Sequence, residues 1–243
     1  MILAGGSGKR MNTTLPKVLN LVQDKPMIIH IMQKVLKLAP QTIIIITGSA
    51  ESEIKTTIET YFGLQENIKY IRQEKPLGTG NAVLAAHNYY KTKDDRDLLV
   101  LPGDVPLITF ELLQELITSH KKRSATMLIS KLENPTGNGR IIQRNGEFIK
   151  IQEEKDCTEE QKKIQLVNAG IYIFSTQILY QYLPLIEPYN AQSEYYLTDI
   201  FEILSKKEYK INLHFSDQSA QLLNVNTQNE LKLACKITQT QND

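Results

Sequence analysis

Gly5, Gly6 and Gly8 follow a very short apolar strand, Met1–Leu3. Arg10 comes next and, after Leu15-Pro16, so does Lys17. Glycines let a backbone approach a ligand closely and turn its N–H groups inward. A loop of such groups with two cations behind it is a phosphate-binding device. The spacing excludes two commoner devices. A dinucleotide fingerprint starting at Gly6 needs a glycine where Met11 stands, and a P-loop needs Ser or Thr where Arg10 follows Gly8-Lys9. What remains is a grip on a nucleoside triphosphate through Arg10 and Lys17. The plainer alternative is a strand-to-helix turn carrying two surface cations.

Asp104 leaves the apolar run Leu98–Leu101 through Pro102-Gly103. A carboxylate fixed at a strand end suits Mg²⁺, which takes one or two carboxylates plus phosphate oxygens and water. A turn aspartate bonding its own backbone is an equal reading. Asn226, after Leu222–Val225, offers a neutral oxygen to the same ion or caps a helix with Thr227 beside it. Gln73 opens a loop running to Gly78-Thr79-Gly80 that could present backbone groups and a side-chain amide to a base. The glycine-rich Asn134–Arg140 stretch, containing Gly139, is either a plain turn or a close-approach loop. Glu153, Asn168 and the segment 190–199, with Tyr196 and Thr198, add polar groups near strand ends and helix starts.

These residues need elements to position them. Apolar β-branched runs alternate with helical periodicity through the first half, which predicts βαβ units and a parallel sheet. Strands are expected at 43–47, 68–72 and 98–101, and helices at 26–38, 52–61, 80–90 and 109–121, the last with Thr109 as N-cap. On the first helix His30 shares a face with Lys34 and Lys37 and reads as solvated. After a strand at 126–130, Asn145-Gly146 marks a hairpin between 140–143 and 147–151. A strand at 166–174, helices at 176–183 and 195–207, strands at 211–215 and 222–225 and a helix at 228–237 complete the chain. The expected fold class is α/β, a doubly wound mixed sheet with an antiparallel extension in the second half. In such sheets ligands sit beyond the carboxyl ends of the strands, where the glycine loop, Asp104 and Asn226 fall.

The 243 residues suffice for one large domain, and a net charge of +1 with 23% charged residues gives no pull toward nucleic acid or an anionic membrane. The basic run His120–Arg123 closes a predicted helix, where it complements the dipole. Two cysteines far apart in sequence fit no metal spacing and suit a reducing cytosol. No apolar run is long enough for a signal or a membrane span, so a cytoplasmic protein is expected.

Taken together, these stretches resemble the sugar-1-phosphate nucleotidyltransferases, and within them the N-acetylglucosamine-1-phosphate uridylyltransferases. The likeness is closest to the uridylyltransferase domain of the bacterial bifunctional enzymes. The segments that carry it are Leu3–Met11 with Lys17, Pro76–Gly80, Gly103–Leu107, Pro135–Ile141, Glu153–Asp156, Asn168–Tyr172 and Asn190–Asp199. Asn138 and Asn81 depart from the tyrosine and histidine usual there. The resemblance implies a Rossmann-like fold of the nucleotide-diphospho-sugar transferase type. One domain is expected over 1–243, with a nucleotide half (1–125), a sugar half (126–225) and a C-terminal helix (226–243); the bifunctional relatives continue into a left-handed β-helix acetyltransferase domain, and none is expected here.

The resemblance further implies that Leu3, Ala4, Gly5 and Gly6 hold the nucleotide, with Arg10 and Lys17 as catalytic cations on its phosphates. Gln73, Gly78 and Thr79 would read uracil. Asp104 and Asn226 would hold Mg²⁺. Gly139, Glu153, Asn168, Tyr196 and Thr198 would contact the sugar. The implied substrates are UTP and N-acetylglucosamine-1-phosphate. The alternatives are another hexose-1-phosphate, with uridylyl or thymidylyl transfer, or a non-catalytic subunit that binds a nucleotide sugar. Oligomeric state stays open, since no trimerising domain is seen.

Overall fold

A computed structural model describes residues 1–6, 8–91 and 93–242. In chain order its principal elements begin with β1 (Ile2–Leu3), β2 (Leu21–Val22), β3 (Lys25–Pro26), α1 (Met27–Lys37), β4 (Ile43–Thr47), α2 (Glu51–Phe62) and β5 (Ile68–Arg72). Next come α3 (Thr79–Leu84), α4 (His87–Tyr90), β6 (Asp97–Pro102), α5 (Phe110–His120), β7 (Ala125–Lys131), β8 (Arg140–Arg144) and β9 (Glu147–Gln152). The rest are α6 (Glu159–Lys162), β10 (Leu166–Ser175), α7 (Thr176–Tyr182), α8 (Asp199–Lys206), β11 (Ile211–Ser216) and α9 (Gln228–Asn242). The chain forms two compact units: Met1–Pro76 with Leu101–Gln114 and Ala220–Asp243, and Leu77–Val100 with Glu115–Ser219. The expected halves 1–125 and 126–225 differ from these units, because 77–100 and 115–125 belong with the second and 220–225 with the first.

In the first unit β4 lies between β1 and β5, and β1 also pairs with the last residues of β6, Leu101 and Pro102; all these pairings are parallel. All five residues of β4 are buried, as a strand covered on both faces requires. Helix α1 buries Met27, Ile28, Ile29, Ile31, Met32 and Val35. His30 is not the solvated residue its helical face suggests. It is half-buried with Nε2 3.0 Å from the Val22 carbonyl, and desolvation holds its imidazole below the usual range.

The expected strand at 222–225 is absent. Ser219–Leu222 is a 3₁₀ turn, and Val225 buries with Met11, Val22, Met27 and Ala234. Its apolar character therefore signals a core contact rather than a ladder. The ribbon β2–β3 was not foreseen, since two residues per strand give no alternation to read.

The second unit is mostly antiparallel, whereas the main sheet of the first is parallel. Strand β10 runs antiparallel to both β7 and the start of β6, β11 adds parallel to β7, and the β8–β9 hairpin joins through β8. Asn145 and Gly146 both have positive φ, 54° and 82°, as a two-residue type I′ turn demands. Tyr172, Phe174 and Phe201 cluster with ring centroids 5.1–5.7 Å apart. The expected helix 80–90 is two short helices, α3 and α4. The helix expected from 195 begins only at Asp199, because Tyr195 and Leu197 give their backbone groups to the 77–80 loop. His120 is buried against Thr126 Oγ1 at 2.8 Å, so only the rest of that basic run is solvated.

Candidate active site

Two neighbouring parallel strand ends in the first unit, those of β1 and β6, lead into Arg10, Lys17 and Asp104. Ala4 N–H donates to the Ile46 carbonyl at 2.7 Å and Gly103 N–H to Leu3 at 2.8 Å, so the glycine loop and Asp104 leave neighbouring strand ends. Ser7 of that loop lies outside the described residues. Val225 N–H donates to the Asp104 carbonyl at 2.8 Å, which brings the following residue, Asn226, beside Asp104. Capping of α9 is left to Thr227 and Glu230. Thr227 Oγ1 accepts from Glu230 N–H at 3.3 Å, and the Glu230 carboxylate accepts from Asn226 N–H at 2.7 Å. Asn226 is thus held by its backbone, and its side chain does not serve as the cap.

That side chain meets the two predicted cations. Asn226 Oδ1 accepts from Lys17 Nζ at 2.7 Å and from Arg10 at 3.1 Å, and Lys17 also pairs with Asp104 Oδ2. Asp104 and Lys17 are both largely buried, at 14% and 13% side-chain exposure, so their pairing is shielded from water far more than a surface pair. Residues predicted for metal and for phosphate therefore form one cluster. The cluster suits a divalent cation on two counts. Asp104 Oδ1 is buried without a hydrogen-bond partner, and the Lys17 ammonium already sits as a cation on both oxygen ligands. No group of three or more His, Cys, Asp or Glu poised for a metal occurs among the described residues. One carboxylate and one amide, completed by phosphate and water, is a donor set of the Mg²⁺ type.

Gln73 follows β5, its N–H bonded to the Thr47 carbonyl at 2.8 Å, and a Cβ on Gly5 would lie 3.4 Å from its Oε1. Gln73 therefore faces the glycine loop, within the first unit.

The predicted sugar residues gather in the second unit. Glu153 accepts from the Thr198 hydroxyl at 2.8 Å, and burial pushes its carboxyl above the ordinary range. Gly139 lies against Glu153 and Ile151. The Tyr196 hydroxyl is buried with no hydrogen-bond partner and surrounded by the charges of Asp156, Glu153, Glu194 and Asp199. Asn168 is engaged internally, donating to Tyr172 Oη at 2.7 Å and accepting from Gly170 N–H at 3.0 Å across a β10 irregularity. One amide hydrogen and one lone pair are left over. Thr79 Oγ1 accepts from Leu197 N–H at 3.0 Å, which leaves its hydroxyl hydrogen to donate elsewhere.

Sequence reading missed Asp199. Its carboxyl is pushed up to about 6, first by burial and then by Glu153, Glu202 and Asp156, with Lys150 opposing. Most of the signal was available only in space, since Glu153 and Asp156 come from the turn after β9 and only Glu202 shares α8 with Asp199. A raised carboxyl pKa leaves stability intact below the unfolded value of 3.8 and costs stability as pH rises through about 6. Asp199 is partly exposed, so the cost is discounted to roughly 1 kcal/mol. Asp199→Asn is expected to raise Tm by roughly 2–4 °C at about pH 8 and to leave it unchanged near pH 3.5, read by calorimetry.

The nucleotidyl transferase family model matches residues 1–219, and the chain belongs to that family. A protein named "Probable UDP-N-acetylglucosamine pyrophosphorylase" from Acanthamoeba polyphaga mimivirus is 40% identical over 237 residues, covering 95% of this chain and 92% of that one. The bifunctional protein GlmU of Thermoanaerobacter pseudethanolicus is 41% identical over 240 residues, and this chain spans 50% of its length. A crystal structure of UDP-glucose pyrophosphorylase complexed with UDP-glucose shares the fold, with a TM-score of 0.77 at 16% identity over 99% of this chain and 97% of the other. No helix among the described residues is long and apolar enough to cross a membrane.

Proposed function

We propose that this protein transfers UMP from UTP to N-acetylglucosamine-1-phosphate, giving UDP-N-acetylglucosamine and pyrophosphate. The observation that carries the reading is near end-to-end likeness to the mimivirus relative, combined with the Arg10–Lys17–Asp104–Asn226 cluster. A phosphate oxygen of the sugar phosphate attacks the α-phosphorus of UTP, and the bond from that phosphorus to the β-phosphate oxygen breaks. This nucleophile is already largely ionised at neutral pH, since a monoester's second pKa is about 6. No general base is required. Repulsion between two anions and charge on the departing pyrophosphate are the obstacles, so positioning and electrostatics carry the rate.

In this reading Leu3, Ala4, Gly5 and Gly6 hold the nucleotide through their backbone. Arg10 neutralises the departing β,γ-phosphates and Lys17 the attacked α-phosphate. Gln73, Gly78 and Thr79 read uracil. Glu153, Thr198, Tyr196, Asn168 and the Gly139 backbone take the sugar hydroxyls and amide. A Mg²⁺ ion on Asp104 and Asn226 would supply charge neutralisation at the phosphate oxygens. The two free cysteines, Cys157 and Cys235, suit work in a reducing cytosol.

The test is pyrophosphate release with UTP, Mg²⁺ and N-acetylglucosamine-1-phosphate, against glucose-1-phosphate and CTP as controls. Release is expected with the acetylated sugar and UTP, and weakly or not at all with either control. Equal or faster release with glucose-1-phosphate reassigns the substrate. No release with any pair points to a nucleotide-sugar-binding subunit.

A further inference from the structure

Arg140 is the largest fully buried side chain among the described residues, at 1% exposure. Arginine is seldom buried unless it is paired. Here the guanidinium donates to the Asn138 carbonyl and to the Lys162 carbonyl at 3.3 Å, and it pairs with Glu154 Oε2 at 2.7 Å. The same Glu154 oxygen accepts from Gly137 N–H at 3.1 Å. One planar fork thus ties together three pieces of the second unit: the 137–139 loop, the turn after β9 and the end of α6.

Those pieces carry the two ends of the proposed sugar contact. A Cβ on Gly139 would stand 2.7 Å from Ile151 Cγ2 and 3.4 Å from both Glu153 carboxylate oxygens, so the Gly139 backbone lies directly against that carboxylate. Glu153 is the residue before Glu154, and its own carbonyl accepts from Asp156 N–H at 2.9 Å. A movement of the clamp therefore changes the gap between Gly139 and Glu153. A buried ion pair adds little net stability compared with apolar side chains of the same volume. What a rigid guanidinium supplies in particular is fixed geometry, which a lysine does not reproduce.

We propose that Arg140, with Glu154 as its partner, is a positioning residue for the sugar phosphate. It sets the spacing of Gly139 and Glu153 and touches no substrate itself. The proposal rests on the reading of Gly139 and Glu153 as sugar contacts. Steady-state kinetics with UTP and N-acetylglucosamine-1-phosphate varied separately test it, on Arg140→Lys, Glu154→Gln and the apolar pair Arg140→Met/Glu154→Met, with Tm measured for each. Glu154→Gln keeps the side-chain volume and guards against a failure of the arginine variants to fold.

The expected result is a rise of about tenfold in KM for the sugar phosphate, with KM for UTP changed by less than about twofold. The apolar pair should recover Tm while keeping the raised sugar KM, a separation that a purely structural role would not give. An unchanged sugar KM in Glu154→Gln overturns the proposal, as does a parallel rise in both KM values. Glu153→Gln separates the two levels. If it alone raises the sugar KM, the sugar reading stands and the clamp falls; if it changes nothing, both fall.

Discussion

Replacing Lys17 by alanine is expected to lower kcat by roughly 10²–10³-fold, the usual cost of losing one preorganised donor at a site of developing charge. The structure gives this lysine no solvated slack. Its ammonium pairs with Asp104 and donates to Asn226 at 2.7 Å, and its side chain is 13% exposed. Loss of the cation removes charge from the attacked phosphate and leaves the Asp104 carboxylate without its counter-charge. Lys17→Ala should therefore also lower Tm, and kcat must be compared per folded molecule. Arg10→Ala should show a drop in kcat of similar size with a smaller effect on Tm, because its bond to Asn226 at 3.1 Å lies at an exposed position. Pyrophosphate release at saturating concentrations of both substrates reads the two directly. Near-wild-type turnover in either variant removes that residue from the phosphate grip.

Gly78→Ala should lower Tm by roughly 6–12 °C, corresponding to about 3 kcal/mol in a protein of this size. Gly78 has a φ of +106°, and an added Cβ would stand 2.6 Å from the Tyr195 carbonyl oxygen and 2.9 Å from its nitrogen. Both are backbone atoms held by other bonds, Tyr195 N–H to Leu77 O at 2.8 Å and Gly80 N–H to Tyr195 O at 2.7 Å. No rotamer change relieves the clash. Thermal unfolding followed by circular dichroism checks the value, and a shift below about 2 °C would mean that the 77–80 loop yields more easily than its bonds suggest.

How much of this was legible in the sequence depends on the kind of signal. The buried strand at 43–47 and the Asn145-Gly146 hairpin were readable because continuous apolar character and a φ-positive dipeptide are local properties. The strand expected at 222–225 was not there, since an apolar run reports burial without saying whether a ladder or a core contact provides it. The late start of α8 had the same origin. Tyr195 and Leu197 look helical until the 77–80 loop, more than a hundred residues earlier, claims their backbone groups. Among the candidate site residues, strand ends pointed to Arg10, Lys17 and Asp104, and the structure gathers them with Asn226. Arg140 carried no such mark, because a charged side chain at a strand start reads as solvated until its three partners are seen.

The first unit is assembled from residues 1–76, 101–114 and 220–243, and this has a consequence for how the protein comes off the ribosome. The bonds from Arg10 and Lys17 to Asn226 span 216 and 209 positions of the chain. The entropy of closing so long a loop rises only slowly with length, but the closure must wait for Asn226 to emerge. A growing chain can complete β4 and β5 against β1 early, yet it holds Lys17 and Asp104 without their amide partner until Asn226 has been added. Chains stopped before residue 226 lack that amide altogether. Assembly of the Arg10–Lys17–Asp104–Asn226 cluster is thus tied to translation past residue 226.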